Sequence, residues 1–125
     1  MNQLILIGRV VKGLGEGARY VSLYSSVFEK YLGFKPYPGT LNIDVGRDVS
    51  KEFSSIPAIL IPPPYDGLGY VLAYEGLIDD LKVYVIKPVI TRHKWNILEV
   101  ISEYNLRQYL NLHDGSIVKI TIYWD

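Results

Sequence analysis

The sequence contains no cysteine, one methionine and only two histidines. Without cysteine there is no disulfide framework, no thiolate nucleophile and no zinc held by thiolates, and the composition fits a reducing compartment, with the cytoplasm the expected location. Few oxidisable residues also suit a heat-adapted protein. Neither charge is in excess: 13 Lys and Arg balance 13 Asp and Glu, so net charge points to neither nucleic acid nor an acidic membrane as partner. Long apolar runs are missing too. The opening MNQLILIGRV has no basic lead-in and its apolar stretch is too short for a signal peptide. No stretch approaches the roughly 20 apolar residues that cross a bilayer. No repeat, low-complexity tract or linker divides the 125 residues. The expectation is one domain spanning 1–125, with no nucleic-acid, membrane or obligate protein partner.

What is present is apolar and β-rich. Hydrophobic residues make up 49% of the chain, enough for a filled interior. The runs 3–11, 40–46, 81–87, 96–102 and 116–124 are short, rich in β-branched and aromatic residues, and bounded by Gly, Pro, Asp or Asn. In LKVYVIK, Leu81, Val83, Val85 and Lys87 share one face; in SIVKITIYW, Val118, Ile120, Ile122 and Trp124 do. Residues 58–62 and 69–76 add a hairpin across PPPYDGLG. In VSLYSSVFEKYLG, Tyr24, Val27, Phe28, Tyr31 and Leu32 recur at helical spacing. Ser26 with Glu29 reads as a capping box and Gly33 as the stop. A shorter helix is expected over 104–110. Closely spaced strands with so few helices predict a small closed β-barrel rather than a doubly wound sheet.

Two stretches carry chemistry. GLGEGARY (13–20) stands between a strand and a helix. Gly13, Gly15 and Ala18 formally match a dinucleotide fingerprint, but no acidic partner follows about 20 residues on, and no Gly-Lys-Ser/Thr makes a P-loop. Glycines at 13, 15 and 17 still let successive amides turn toward one concavity, which suits an anion, and the following helix adds its N-terminus. Arg19 could add a charge-assisted contact. Glu16 would repel a phosphate, so it must face a base, a ribose, an amine or solvent. Glycine-rich turns are mostly structural, so the loop taken alone reads first as a plain connection. In PGTLN, Thr40 and Asn42 point the same way on a strand while Leu41 enters the core. Two neutral oxygens make a poor cage for a bare cation but suit Mg²⁺ held mainly by phosphates. Alone, T-x-N is as well explained by turn capping.

Together, VKGLGEGARYVSLY, LGFKPYPGTLN, TRHKWNILEVIS and NLRQYLNLHDG resemble, in order and spacing, the archaeal CTP-dependent riboflavin kinase family. The resemblance implies a six-stranded, swapped-hairpin-like cradle-loop barrel. It further implies transfer of the γ-phosphoryl group of CTP to the 5′-hydroxyl of riboflavin, giving FMN and CDP. It assigns Leu14, Gly15, Glu16, Gly17, Ala18 and Arg19 to the nucleotide loop, and Tyr104, Asn105, Leu106 and Arg107 to a second part of the nucleotide site. Thr40 and Asn42 become Mg²⁺ ligands, and Thr91 and Glu99 contact the flavin. In NILEVIS, Glu99 shares a face with Ile97 and Ile101, so it either lines a site or is poorly placed. On this family reading it orients the 5′-hydroxyl or accepts its proton. His93 reads as an exposed loop residue and His113 as turn chemistry. The alternatives are a non-catalytic flavin- or nucleotide-binding barrel, and a DNA-binding regulator on a related barrel, which the neutral charge disfavours.

Overall fold

Strands that alternate or bury both faces must find partners on each side, and here they do so by closing a ring. The structure, a computed structural model, describes residues 1–90 and 94–125. In chain order the elements are β1 (Asn2–Val11), α1 (Gly17–Leu32), β2 (Leu41–Asp44), α2 (Ser50–Ser54), β3 (Ile59–Ile61), β4 (Val71–Ile78), β5 (Leu81–Pro88), β6 (Ile97–Ile101), α3 (Leu106–Tyr109) and β7 (Ile117–Trp124). The hydrogen-bonded order is β3-β4-β5-β6-β2-β1-β7, and β4 also pairs with β7. β4 divides its edge: Val71–Ala73 pair with β3, whereas Gly76–Ile78 pair with Ile120–Ile122 of β7. The second pairing closes six strands into the barrel that was expected. β3 is a seventh strand, laid on the outside of the ring.

The barrel interior is filled by the inward residues of all six strands, among them Leu6, Val10, Leu41, Ile43, Ile78, Val85, Leu98, Val100, Ile120 and Ile122. Phe53 of α2 joins this core, its ring 4.9 Å from Tyr74 and 4.8 Å from Trp95. Leu106 of α3 belongs to the same cluster. A second cluster lies outside the ring, where Val21, Tyr24 and Phe28 of α1 cover Ile61, Val71, Ala73, Tyr84, Ile86 and Ile101. β5 is therefore buried on both faces, with Val83 and Val85 in the inner cluster and Tyr84 and Ile86 in the outer one.

Three local expectations change. Helix α1 begins at Gly17, well before Ser26, so Ser26 and Glu29 lie inside it and form no capping box; Glu16 is the N-cap and makes no side-chain cap. Gly33 does stop the helix, in the left-handed region at φ 83° with its N–H on the Glu29 carbonyl. The later helix is shorter than 104–110, because Asn105 caps it through a bond from the Gln108 N–H. Helix α2, five residues long, was not anticipated.

Candidate functional site

The glycine run connects β1 to α1, and its three glycines serve different ends. Gly15 has φ +83°, a conformation that side chains disfavour, and a Cβ there would meet nothing within 4 Å. The value of glycine at 15 is thus conformational. Gly13 and Gly17 instead make room. A Cβ on Gly13 would lie 2.4 Å from Asn42 Nδ2, and one on Gly17 would lie 2.6 Å from Thr40 Oγ1. The loop is therefore pressed against the side chains of Thr40, which immediately precedes β2, and Asn42, the second residue of β2. Helix α1 starts at the same place, leaving its first amides without intrahelical acceptors.

β2 alternates as the strand period requires. Leu41 and Ile43 enter the barrel core, whereas Asn42 lies on the outer surface between β1 and β6, registered with Val11 on one side and Glu99 on the other. Asn42 is only 6% exposed, and its Oδ1 has no hydrogen-bond partner among the described residues. Such an acceptor is costly unless something else satisfies it. Glu99 is half-buried beside it. Pro88 and Ile90 line the same cleft as these two. These residues enclose a cleft of about 570 Å³ whose lining includes Gly13 to Ala18, Tyr20, Thr40, Asn42, Glu99 and Arg107.

Sequence reasoning missed Tyr20 in this cleft and the burial of Lys87, which is not among the residues lining either cleft. Tyr20 falls three residues after Gly17, on the same side of α1, and its ring stacks on Tyr24 at 4.6 Å. Burial above all, with Tyr24 and the negative charge of Glu99, pushes its pKa far above the usual tyrosine range. Its hydroxyl therefore keeps its proton. The Tyr24 hydroxyl donates to the Gly69 carbonyl at 2.7 Å, tying α1 to the 62–70 loop. Lys87 continues the inward series of Val83 and Val85 and is 7% exposed. Its Nζ donates to the Lys94 carbonyl at 2.9 Å and lies 4.9 Å from the Trp95 ring centroid. Burial lowers its pKa, against the opposing pull of Glu99 and Asp48. A lysine on an otherwise apolar face was the signal.

A smaller pocket of about 190 Å³ adjoins the first and shares Gly39, Thr40 and Arg107 with it. Tyr37, Ser102, Tyr104, Asn105 and Leu106 line the rest. Asn105 donates from Nδ2 to the Tyr37 hydroxyl at 3.1 Å, and the Tyr104 N–H donates to Ser102 Oγ at 3.1 Å. Leu106 is 5% exposed and belongs to the barrel core.

The first cleft thus gathers Leu14, Gly15, Glu16, Gly17, Ala18, Thr40, Asn42, Glu99 and Arg107, and the second gathers Tyr104, Asn105, Leu106 and Arg107. Arg19 is exposed and is not among the residues lining either cleft. Two residues along the helix from Gly17, it points to the other side. Thr91 and His93 lie outside the described residues. No group of three or more His, Asp or Glu that could hold a metal occurs among the described residues. Thr40 Oγ1 and Asn42 Oδ1, the latter with no hydrogen-bond partner among the described residues, instead fit a hard cation that draws its remaining ligands from phosphates and water. No helix among the described residues is long and apolar enough to cross a membrane.

Fold and cleft define the class: a closed six-stranded β-barrel that carries its cleft on the outer wall, where a glycine loop, a helix start and the first residues of a strand meet. The family model named for CTP-dependent riboflavin kinase, with the description "Domain of unknown function DUF120", matches residues 10–122. The chain belongs to that family. It is 58% identical over 118 residues to a riboflavin kinase of Staphylothermus marinus, covering 94% of this chain and 91% of that protein. It is 46% identical over 126 residues to one from Pyrobaculum islandicum and 41% identical over 123 residues to one from Thermococcus kodakarensis. Each match covers 94% of this chain, which spans 60% and 58% of those two relatives.

Proposed function

We propose that the chain is a riboflavin kinase that uses CTP as donor and Mg²⁺ as cofactor, giving FMN and CDP. Riboflavin phosphorylation rests on family membership; CTP as donor follows the family's name alone. One observation carries the assignment of residues. Gly13 and Gly17, which lack side chains, abut Asn42 and Thr40, and Asn42 is in register with Glu99. Anion-binding amides, two oxygen donors and a carboxylate are thereby drawn into one cleft.

Phosphoryl transfer asks mainly for positioning and charge neutralisation. In this reading, the amides of residues 14–18 and the start of α1 hold the donor's phosphates. Arg107, at the junction of the two clefts, supplies a fixed positive charge. Thr40 Oγ1 and Asn42 Oδ1 hold Mg²⁺, which neutralises phosphate charge when bound. Glu99 aligns the 5′-hydroxyl of riboflavin and takes its proton as the oxygen attacks the γ-phosphorus, and the bond from that phosphorus to the β,γ-bridging oxygen breaks to release CDP. Pro88, Ile90 and the Tyr20 ring give the acceptor side an apolar wall. The smaller pocket, with Tyr104 and Asn105, receives the rest of the nucleotide.

The test is FMN formation with each of the four nucleoside triphosphates, with and without Mg²⁺. FMN made from CTP in the presence of Mg²⁺ is the expected result. Equal rates from ATP would remove the donor assignment, and CDP binding with no FMN from any donor would leave a binding barrel instead.

A further inference from the structure

Arg107 sits where the two clefts meet, on a helix of four residues, and a long side chain there has no intrinsic reason to hold one direction. Its direction is set by Asp114. Arg107 Nη2 donates to Asp114 Oδ1 at 2.7 Å and more weakly to the Val11 carbonyl at 3.4 Å. The guanidinium is planar and has five donors, so committing Nη2 on one side leaves the remainder of the fork to face a ligand in a fixed plane.

The turn that carries Asp114 is itself fastened to the same region. His113 donates its N–H to Ser116 Oγ at 2.9 Å, and the Ser116 N–H returns to the His113 carbonyl at 2.9 Å. Gly115, at φ +91°, donates its N–H to the Val10 carbonyl at 2.7 Å, and Val10 donates to Ser116 at 2.8 Å. Val10 and Val11 are the last residues of β1, from which the glycine loop springs. The Leu112 N–H also bonds the Arg107 carbonyl at 2.8 Å. One short turn thus connects the end of β1 to both the backbone and the side chain of Arg107.

We propose that Asp114 is a positioning residue for phosphoryl transfer, aiming the Arg107 guanidinium at the donor's phosphates and keying it to the strand that carries the glycine loop. This rests on the reading of the cleft as a nucleotide site. The ion pair is exposed, at 40% and 60% of the two side chains, so its loss should matter little to stability. Its value is preorganisation of a cation.

The experiment measures CDP affinity by calorimetry and FMN formation from CTP for Asp114→Asn, Asp114→Glu, Arg107→Ala and the double variant Asp114→Asn/Arg107→Ala. Asp114→Asn should lower kcat/KM for CTP and CDP affinity by about tenfold, the size of one mis-set charge-assisted contact. The riboflavin KM and the melting temperature should stay unchanged. Asp114→Glu should recover most of the loss. With Arg107 already Ala, removing Asp114 should cost nothing more. Wild-type behaviour of Asp114→Asn, or losses that multiply in the double variant, would overturn the inference. A wild-type chain that binds CDP but makes no FMN overturns the kinase reading alone, since CDP affinity still tests Asp114; a chain that does not bind CDP overturns both.

Discussion

Replacing Gly17 by alanine should separate activity from stability. The added Cβ would stand 2.6 Å from Thr40 Oγ1 and 3.2 Å from the Thr40 backbone nitrogen. Ordinary contact begins at 3.4 Å, so the threonine hydroxyl must retreat by about 0.8 Å or turn away. Turning χ1 off its well costs about 0.5–1.5 kcal/mol. Against this, Gly17 is the first residue of α1 and its φ is not in the left-handed region. Alanine there recovers about 0.4–1 kcal/mol by restricting the unfolded chain. The two terms nearly cancel, and the melting temperature should move by no more than about 4 °C. Catalysis has no such compensation: a donor displaced by about 1 Å typically costs on the order of 100-fold. FMN formation and thermal melting, measured on the same preparation, decide the matter. A Gly17→Ala protein with wild-type kcat/KM would show that the Thr40 hydroxyl is not needed where β2 holds it, and the metal assignment would fail with it.

Asn42→Ala should nearly abolish turnover without unfolding the protein, because it removes a buried acceptor that has no partner among the described residues. Full activity would exclude Asn42 as a metal ligand. Gly76→Ala should instead act on the fold, since a Cβ would approach the Thr121 carbonyl oxygen to 2.7 Å where β4 meets β7. A loss of about 1–3 kcal/mol in chemical denaturation is expected from such overpacking, and an unchanged midpoint would contradict the closed ring. Lys87 has a pKa lowered by burial, so the unfolded chain binds its proton more tightly. Its contribution to stability should therefore rise with pH through the window just below the usual lysine value of about 10.4, while buried tyrosines such as Tyr20 and Tyr74, with raised pKa, act in the opposite sense above about pH 10. Denaturation as a function of pH should show wild type gaining stability relative to Lys87→Met through that window, and a constant difference would contradict the reasoning.

The strands were legible because each is a short apolar run ended by a residue that favours turns, and Val118, Ile120 and Ile122 do line the core as their alternation requires. The start of α1 was not, because Gly17 and Ala18 carry no capping chemistry and the Ser26–Glu29 pair offered a better local signal. Tertiary burial of Val21 and Tyr24 against the outer wall overrides that signal. Helix α2 depends on Phe53 reaching the aromatic cluster with Tyr74 and Trp95, a contact between distant residues that no local pattern records. Within the cleft, alternation put Thr40 and Asn42 on one side and Leu41 on the other, as found. That Gly13 and Gly17 are spacers for those two side chains could be learned only from the way β1, α1 and β2 come together.

Strands β1 and β7 are neighbours from Asn2 opposite Trp124 to Arg9 opposite Ile117. A chain emerging from the ribosome N-terminus first holds β1 without that ladder until β7 has left the exit tunnel. Closure of the ring therefore waits until β7 has emerged and requires the slow search that distant pairings impose. The glycine loop follows the C-terminal end of β1, so a nascent chain carries these residues long before the cleft they line exists.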